Sequence, residues 1–222
     1  MIEHHISLKP YNTFGIDVKA LAFGRFTSVE ELKELLRQRD TETPLFILGG
    51  GSNVLLTRDL PFFVLKNEIQ GVEVVSETDT QEVLKAGSGV EWHAFVRYTV
   101  EQGWGGIENM SLIPGSVGAS PMQNIGAYGA EIKDTFVSLE ALHIDSLEIH
   151  TFTKEQCAFG YRESVFKRAL KGQYVIVSVT YELAKNPKIN TTYGAIQAEI
   201  EVMGVTDVTV DTVSQAVMNI RR

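Results

Sequence analysis

Three stretches of this 222-residue chain hold residue types spaced for chemistry. The first is Gly49-Gly50-Gly51-Ser52-Asn53-Val54. Consecutive glycines let successive backbone amides turn toward one point, which makes a nest for phosphate oxygens, and Ser52 and Asn53 add side-chain donors. No Gly-Lys-Ser/Thr follows, so this is not a P-loop, and Val54 stands where the dinucleotide fingerprint needs its third glycine. Alone, the stretch fits a phosphate nest and an ordinary tight turn equally. The second stretch, Leu112 to Gly129, holds Gly115, Gly118, Gly126, Gly129, Pro114 and Pro121 with almost no charge. Such a composition rules out a stable helix or a regular central strand and predicts an ordered loop. Backbone so free of side chains can lie against a planar, partly apolar ring and offer it peptide donors and acceptors. An interior crossover without a ligand is the other reading, while the apolar content argues against disorder. The third stretch is Tyr161-Arg162-Glu163-Ser164. It suits either an anion clamp for a substrate carboxylate or a surface Arg-Glu pair of little energetic weight.

Other reactive side chains point nowhere. Cys157 is the only cysteine, which excludes an internal disulfide and a thiolate metal cage, and with no basic partner nearby it reads as a small core residue. The histidines at 4, 5, 93, 143 and 150 show no metal-ligand spacing, so no metal is expected. Basic residues number 20 against 28 acidic ones, for a formal net charge of -8, and no Lys/Arg cluster offers a nucleic-acid footprint. A phosphate ligand must then be held by local dipoles. No apolar run reaches the length of a bilayer span, and the amino terminus lacks the features of a signal peptide. The expectation is a cytoplasmic monomer with no membrane or nucleic-acid partner.

The elements that must position these stretches follow from periodicity. A strand over 21–27 leads to the capping box Ser28-Val29-Glu30-Glu31, and Leu32, Leu35 and Leu36 at helical spacing predict a helix over about 29–39. Strands over 44–48 and 62–65 complete a βαβ-like unit, with the glycine turn between them. Short strands over 72–75 and 82–86 open a second unit near residue 70. A helix over 91–102, stopped at Gly103, delivers the chain to the long loop, and Trp92 and Trp104 read as packing residues. Strands over 136–144 and 147–152 pair through a tight Asp145-Ser146 connection, and 174–183 is a further strand. Helical stretches to Met203 and beyond Thr209 end the chain.

Together, Asn12-Thr13-Phe14-Gly15, Leu48 to Val54, Ile113-Pro114-Gly115-Ser116-Val117-Gly118, Gln123 to Gly129 and Phe159 to Lys167 resemble the UDP-N-acetylenolpyruvoylglucosamine reductase family, in the family's order and over nearly the whole chain. The resemblance implies an α+β, two-domain FAD-binding fold of the p-cresol methylhydroxylase/vanillyl-alcohol oxidase type, with domains over 1–69 and 70–222. It implies FAD as bound cofactor, NADPH as co-substrate and UDP-N-acetylenolpyruvoylglucosamine as the molecule reduced. Gly49, Gly50, Gly51, Ser52, Asn53 and Val54 would hold the pyrophosphate. Ile113, Pro114, Gly115, Gly118, Ala119 and Ser120, then Asn124, Ile125, Gly126, Tyr128 and Gly129, would face the flavin. Arg162 becomes a catalytic residue that polarises the substrate carboxylate, with Tyr161 and Tyr193 beside the substrate. Members of the family continue past a helix like 210–222 into a third domain with a Gly-Ser-Phe-Phe-Lys-Asn-Pro-like motif, a proton-donating serine and a glutamate. Neither motif occurs here, so the expectation is an FAD-binding part that is catalytically incomplete. A flavin oxidase of the same fold and a non-enzymatic nucleotide-binding module are the alternatives. Such oxidases often tether FAD through a histidine near the first glycine turn, and none lies between 6 and 92.

Overall fold

Ser28 starts the first helix as its pattern demands. In the computed structural model, which describes residues 1–222, its Oγ accepts from the Glu31 amide at 3.2 Å, and the Glu31 carboxylate reaches back to the Thr27 amide at 2.7 Å. The helix, Val29–Arg37 (α1), turns Leu32, Leu35 and Leu36 inward. It packs on a sheet made of Glu3–Ser7 (β1), Lys19–Phe26 (β2), Leu45–Leu48 (β3) and Leu60–Asn67 (β4), in the order β1-β2-β4-β3. β2 and β3 both run parallel to β4, which fills the gap inside the expected βαβ unit. Sequence periodicity does not mark β1, where His5 takes a left-handed φ of 53° and spoils the alternation.

The second sheet is antiparallel throughout: Val72–Glu77 (β5), Gln81–Gly87 (β6), Phe136–His143 (β9), Ile149–Thr153 (β10) and Tyr174–Ala184 (β11), ordered β10-β9-β11-β6-β5. The β9-β10 connection differs from the two-residue turn expected at Asp145-Ser146. It runs over 144–148, closed by hydrogen bonds from the Leu147 amide to His143 O and from the His143 amide to Glu148 O, both 2.9 Å, with Leu147 left-handed at φ 58°. A partly buried Leu147 packs on the core, which holds the wider turn in place.

Trp92–Glu101 (α2) covers this sheet, burying Trp92, Phe95, Val96 and Val100 with Tyr181, and it stops at Gly103, φ 77°. The loop that follows is ordered by short 3-10 turns and one small hairpin, Gly126–Ala127 (β7) with Ala130–Glu131 (β8). Lys154–Cys157 (α3) is a single capped turn. Gly194–Met203 (α4) and Val210–Arg221 (α5) bury Ile196 and Ile200 against Val213, Ala216 and Val217. Phe26, Leu35, Phe63 and Leu65 of the first sheet layer share a core with Leu142, Val175 and Val177 of the second. The crossing chain is stapled by buried Asn67, whose Nδ2 donates to Ser88 Oγ at 2.8 Å.

Candidate functional site

The glycine turn leaves β3 with Gly51 at φ +69°, and a Cβ there would run into the Tyr11 carbonyl. Only glycine tolerates that approach. The segment behind it is fixed by Asn12, which is buried: its Nδ2 donates to Leu8 O at 2.8 Å and Ile16 O at 2.9 Å, and its Oδ1 accepts from the Ile16 amide at 3.0 Å. Thr13 then donates its amide to Gly51 O at 3.2 Å. The Asn12-Thr13 turn is therefore the backing of the nest. In the nest itself, none of the amides of Gly50 to Val54 donates to a protein acceptor. Gly51 is buried and Ser52 and Val54 are partly buried, and donors that the fold leaves unpaired there are what an anion would satisfy.

The long loop meets this turn face to face. A Cβ on Gly49 would lie 2.9 Å from Ser116 Oγ, and one on Gly50 3.4 Å from Gly115 Cα. Gly115 and Ser116 also have amides without a protein acceptor. From behind, the Trp92 amide holds Gly115 O and the indole Nε1 holds Met110 O, both at 3.0 Å. The Ser120 and Tyr181 hydroxyls meet at 2.7 Å, and complete burial pushes the Tyr181 phenol above its ordinary range although the Ser120 bond favours ionisation. Leu112, left-handed at φ 56°, donates its amide to His93 Nδ1 at 3.1 Å.

Between turn and loop lies a cavity of about 530 Å³. Gly49, Gly50, Gly51, Ser52, Asn53 and Val54 line it, and so do Ile113, Pro114, Gly115, Ala119, Ser120 and Ile125. A second cavity of about 420 Å³ shares Ile47, Gly49, Ser116, Ala119 and Met122 with the first and continues the groove between the sheets past Gly118, Tyr174 and Lys171. Unpaired amides at one end, apolar walls and two joined cavities suit a long ligand with an anionic middle and planar ends, as FAD is. Sequence reasoning left out Ile47, Leu48, Trp92, Ser116, Met122, Gln123 and Lys167 of the lining. Leu48, Ser116, Gln123 and Lys167 stand inside the recognised motifs; Ile47, Trp92 and Met122 carry no signal separate from core packing.

Four expected flavin contacts, Asn124, Gly126, Tyr128 and Gly129, line neither cavity. Asn124 is fully buried at φ 42°, with Nδ2 donating to Gly160 O at 3.0 Å and Oδ1 accepting from the Lys133 amide at 3.1 Å. It joins the loop to the arginine turn. Arg162, itself left-handed at φ 52°, donates from Nη1 to Asn124 O at 3.2 Å and from Nη2 to Gly126 O, and its guanidinium lies 5.5 Å from the Tyr161 ring centroid. Glu163 pairs not with Arg162 but with Arg168, at 2.6 Å, so the Arg162-Glu163 surface pair considered from sequence does not form. Tyr161 is exposed. Tyr193 stacks edge-on against Tyr128, with centroids 5.3 Å apart, and buried Asn109 ties the two segments by donating to Tyr128 O and Asn190 O, each at 3.1 Å. Cys157 is fully buried and burial pushes its thiol up to about 12, which suits packing and not nucleophilic chemistry.

A family model described as an FAD binding domain matches residues 20–151. The UDP-N-acetylenolpyruvoylglucosamine reductase of Flavobacterium johnsoniae is 50% identical over 222 residues, which are all of this chain and 66% of that protein. The chain thus spans about two thirds of that relative's length. The crystal structure of UDP-N-acetylenolpyruvylglucosamine reductase from Thermus caldophilus aligns with a TM-score of 0.68 at 20% identity, covering 100% of this chain and 94% of that one. That of p-cresol methylhydroxylase with substrate bound aligns at 0.54 and 13% identity, covering 82% and 40%. At such identities the likeness is one of fold, the FAD-binding fold of the p-cresol methylhydroxylase type. No helix here is long and apolar enough to cross a membrane.

Proposed function

The chain belongs to the FAD-binding domain family, and from that premise we propose that it is the FAD-binding part of an NADPH-dependent reductase converting UDP-N-acetylenolpyruvoylglucosamine to UDP-N-acetylmuramate for peptidoglycan. The observation that carries the reading is the meeting of two loops whose amides at Gly50 to Val54 and at Gly115 and Ser116 lack protein acceptors around one cavity. The substrate comes from the reductase of Flavobacterium johnsoniae, 50% identical along this whole chain. The reading carries with it a cytoplasmic, monomeric enzyme and a division into units near residue 69.

FAD, when bound, supplies the hydride chemistry. The nest amides hold its pyrophosphate, and the side-chain-poor backbone from Ile113 to Ala119 supports the ring. Arg162 spends two of its donors on the carbonyls of Asn124 and Gly126, which fixes the plane of the fork. The remaining N–H groups face a substrate carboxylate and stabilise negative charge that develops there during reduction. Tyr193, held against Tyr128, covers the nucleotide sugar. Asn124, Gly126, Tyr128 and Gly129 act behind these groups, positioning Arg162 and Tyr193.

Two measurements test the reading. Titrating the purified chain with FAD should perturb the flavin absorption bands; folded protein with no spectral change would remove the cofactor. In the full-length protein read from the parent reading frame, anaerobic NADPH oxidation should depend on the enolpyruvyl nucleotide and yield UDP-N-acetylmuramate. NADPH oxidation without that product would return the protein to the oxidase or binding-module classes.

A further inference from the structure

The joined cavities carry almost no charge. Lys167 is the one charged residue lining the cavity that holds the nest, and Lys171 the one charged residue lining its continuation. Neither lysine takes part in an ion pair. Glu163, the acid on the same segment, is held by Arg168. The segment that bears both lysines is firmly mounted. Buried Ser164 donates its hydroxyl to Met122 O at 2.7 Å, tying the turn to the long loop, and buried Phe166 packs edge-on against Phe152 with centroids 5.1 Å apart. Lys167 lines the cavity, and its Nζ donates to Arg162 O at 2.9 Å.

An anion taken from water into a cleft with apolar walls loses solvation that backbone dipoles replace only in part. On a chain of net charge -8, the surrounding field opposes its entry. A cation lining the groove and outside any ion pair offsets both costs. Resting on the FAD reading of the cleft, we propose that Lys167, assisted by Lys171, is the cationic half of the pyrophosphate site, and that it makes the groove select flavin bearing a pyrophosphate over the same ring without one. Lys167 also couples the site to Arg162, because the lysine that lines the cavity donates its ammonium to the Arg162 carbonyl. The family motif that contains Lys167 thus serves cofactor recognition as well as the arginine.

The test compares FAD with riboflavin, which has the ring and no phosphate, by fluorescence titration of the full chain at low and high salt. Lys167→Met should weaken FAD by about 10- to 100-fold, the scale of a hydrogen bond to a charged group. It should flatten the salt dependence of FAD binding and leave riboflavin affinity as it was. Lys171→Met should cost FAD about two- to fivefold, the scale of an exposed charge. Lys167→Arg should restore most of the FAD affinity, and an unchanged melting temperature of the ligand-free variants sets folding aside. FAD affinity untouched by Lys167→Met would overturn the proposal, as would an equal loss for FAD and riboflavin, which would assign the lysine to the ring or to the fold. A wild-type chain that binds neither flavin would overturn the cofactor reading and this inference together, an outcome distinct from wild-type binding with silent lysines.

Discussion

Arg162 illustrates how a residue's role depends on what its backbone does. Its left-handed φ and its two bonds to loop carbonyls pin the guanidinium beside Asn124 O and Gly126 O, instead of leaving it to pair with Glu163. In the full-length protein, Arg162→Ala is expected to lower turnover about 10²- to 10³-fold, the usual loss for one donor to developing charge, with FAD affinity little changed. Arg162→Lys should recover little, because a point charge cannot both bridge two carbonyls and fork a carboxylate. Ordinary turnover in the alanine variant would return Arg162 to a structural role. His93 makes a second residue-scale case. To accept the Leu112 amide its Nδ1 must be bare, and burial chiefly holds its pKa below the ordinary value, with Glu91 acting the other way and Arg97 and Arg222 reinforcing it. Above the unfolded value of about 6.5 both states are neutral and stability does not change. As pH falls below it, the unfolded chain takes the proton first, and stability declines until the folded imidazole titrates too. Melting temperature between about pH 7 and pH 5 should therefore fall more steeply for the wild type than for His93→Asn, whose Oδ1 accepts without titrating. Equal slopes would contradict this. The sequence displays the types of these residues, not their partners: the Arg162 bonds join positions 38 and 36 apart in the chain, and no local pattern announces them.

Among the elements, the glycine turn is the most exacting. Gly51→Ala puts a Cβ against the Tyr11 carbonyl and forces an L-residue to φ +69°. The dihedral alone costs about 1–2 kcal/mol, and the collision adds to it. Chemical denaturation should show the loss, and FAD binding should weaken beyond it because the nest is misshapen; a variant of full stability and affinity would show that the turn adapts. Elements with strong local signals are legible in the chain. The α1 capping box, the Gly103 stop and the β-branched run of β11 all sit where the sequence puts them. Those that rest on tertiary support are not. β1 is an edge strand interrupted at His5, and the β9-β10 turn widens because Leu147 finds the core. The loop from 112 to 129 shows its lack of regular structure in its composition. Its division of labour, with Ile113 to Gly115, Ala119, Ser120 and Ile125 on the cavity and Asn124, Gly126, Tyr128 and Gly129 behind Arg162 and Tyr193, depends on Asn124 and Asn109 reaching distant carbonyls.

On the scale of the whole molecule, the two sheets are bound by a core drawn from both, with Phe26, Leu35 and Phe63 against Leu142, Val175 and Val177. The groove lies where they meet, lined by Ile47 from the first sheet and Ile176 from the second. Calorimetry of the chain should accordingly show one unfolding transition, raised by FAD by an amount that grows with its concentration, about 2.7 kcal/mol at a hundred times Kd. Two transitions, one of them indifferent to FAD, would mean that the units are independent and the groove belongs to one of them. Such cooperation is hidden in a linear reading, which finds two textures on either side of residue 70 and cannot tell that they share a core. A crystal structure of the chain with FAD bound would show whether FAD lies in this groove with its pyrophosphate on the glycine turn. Phosphate oxygens within about 2.7–3.2 Å of the amides of Gly50 to Asn53, with the flavin ring against the backbone of Ile113 to Ala119, are the expected result. FAD seated elsewhere, or held in the groove with those amides unpaired, would contradict the account.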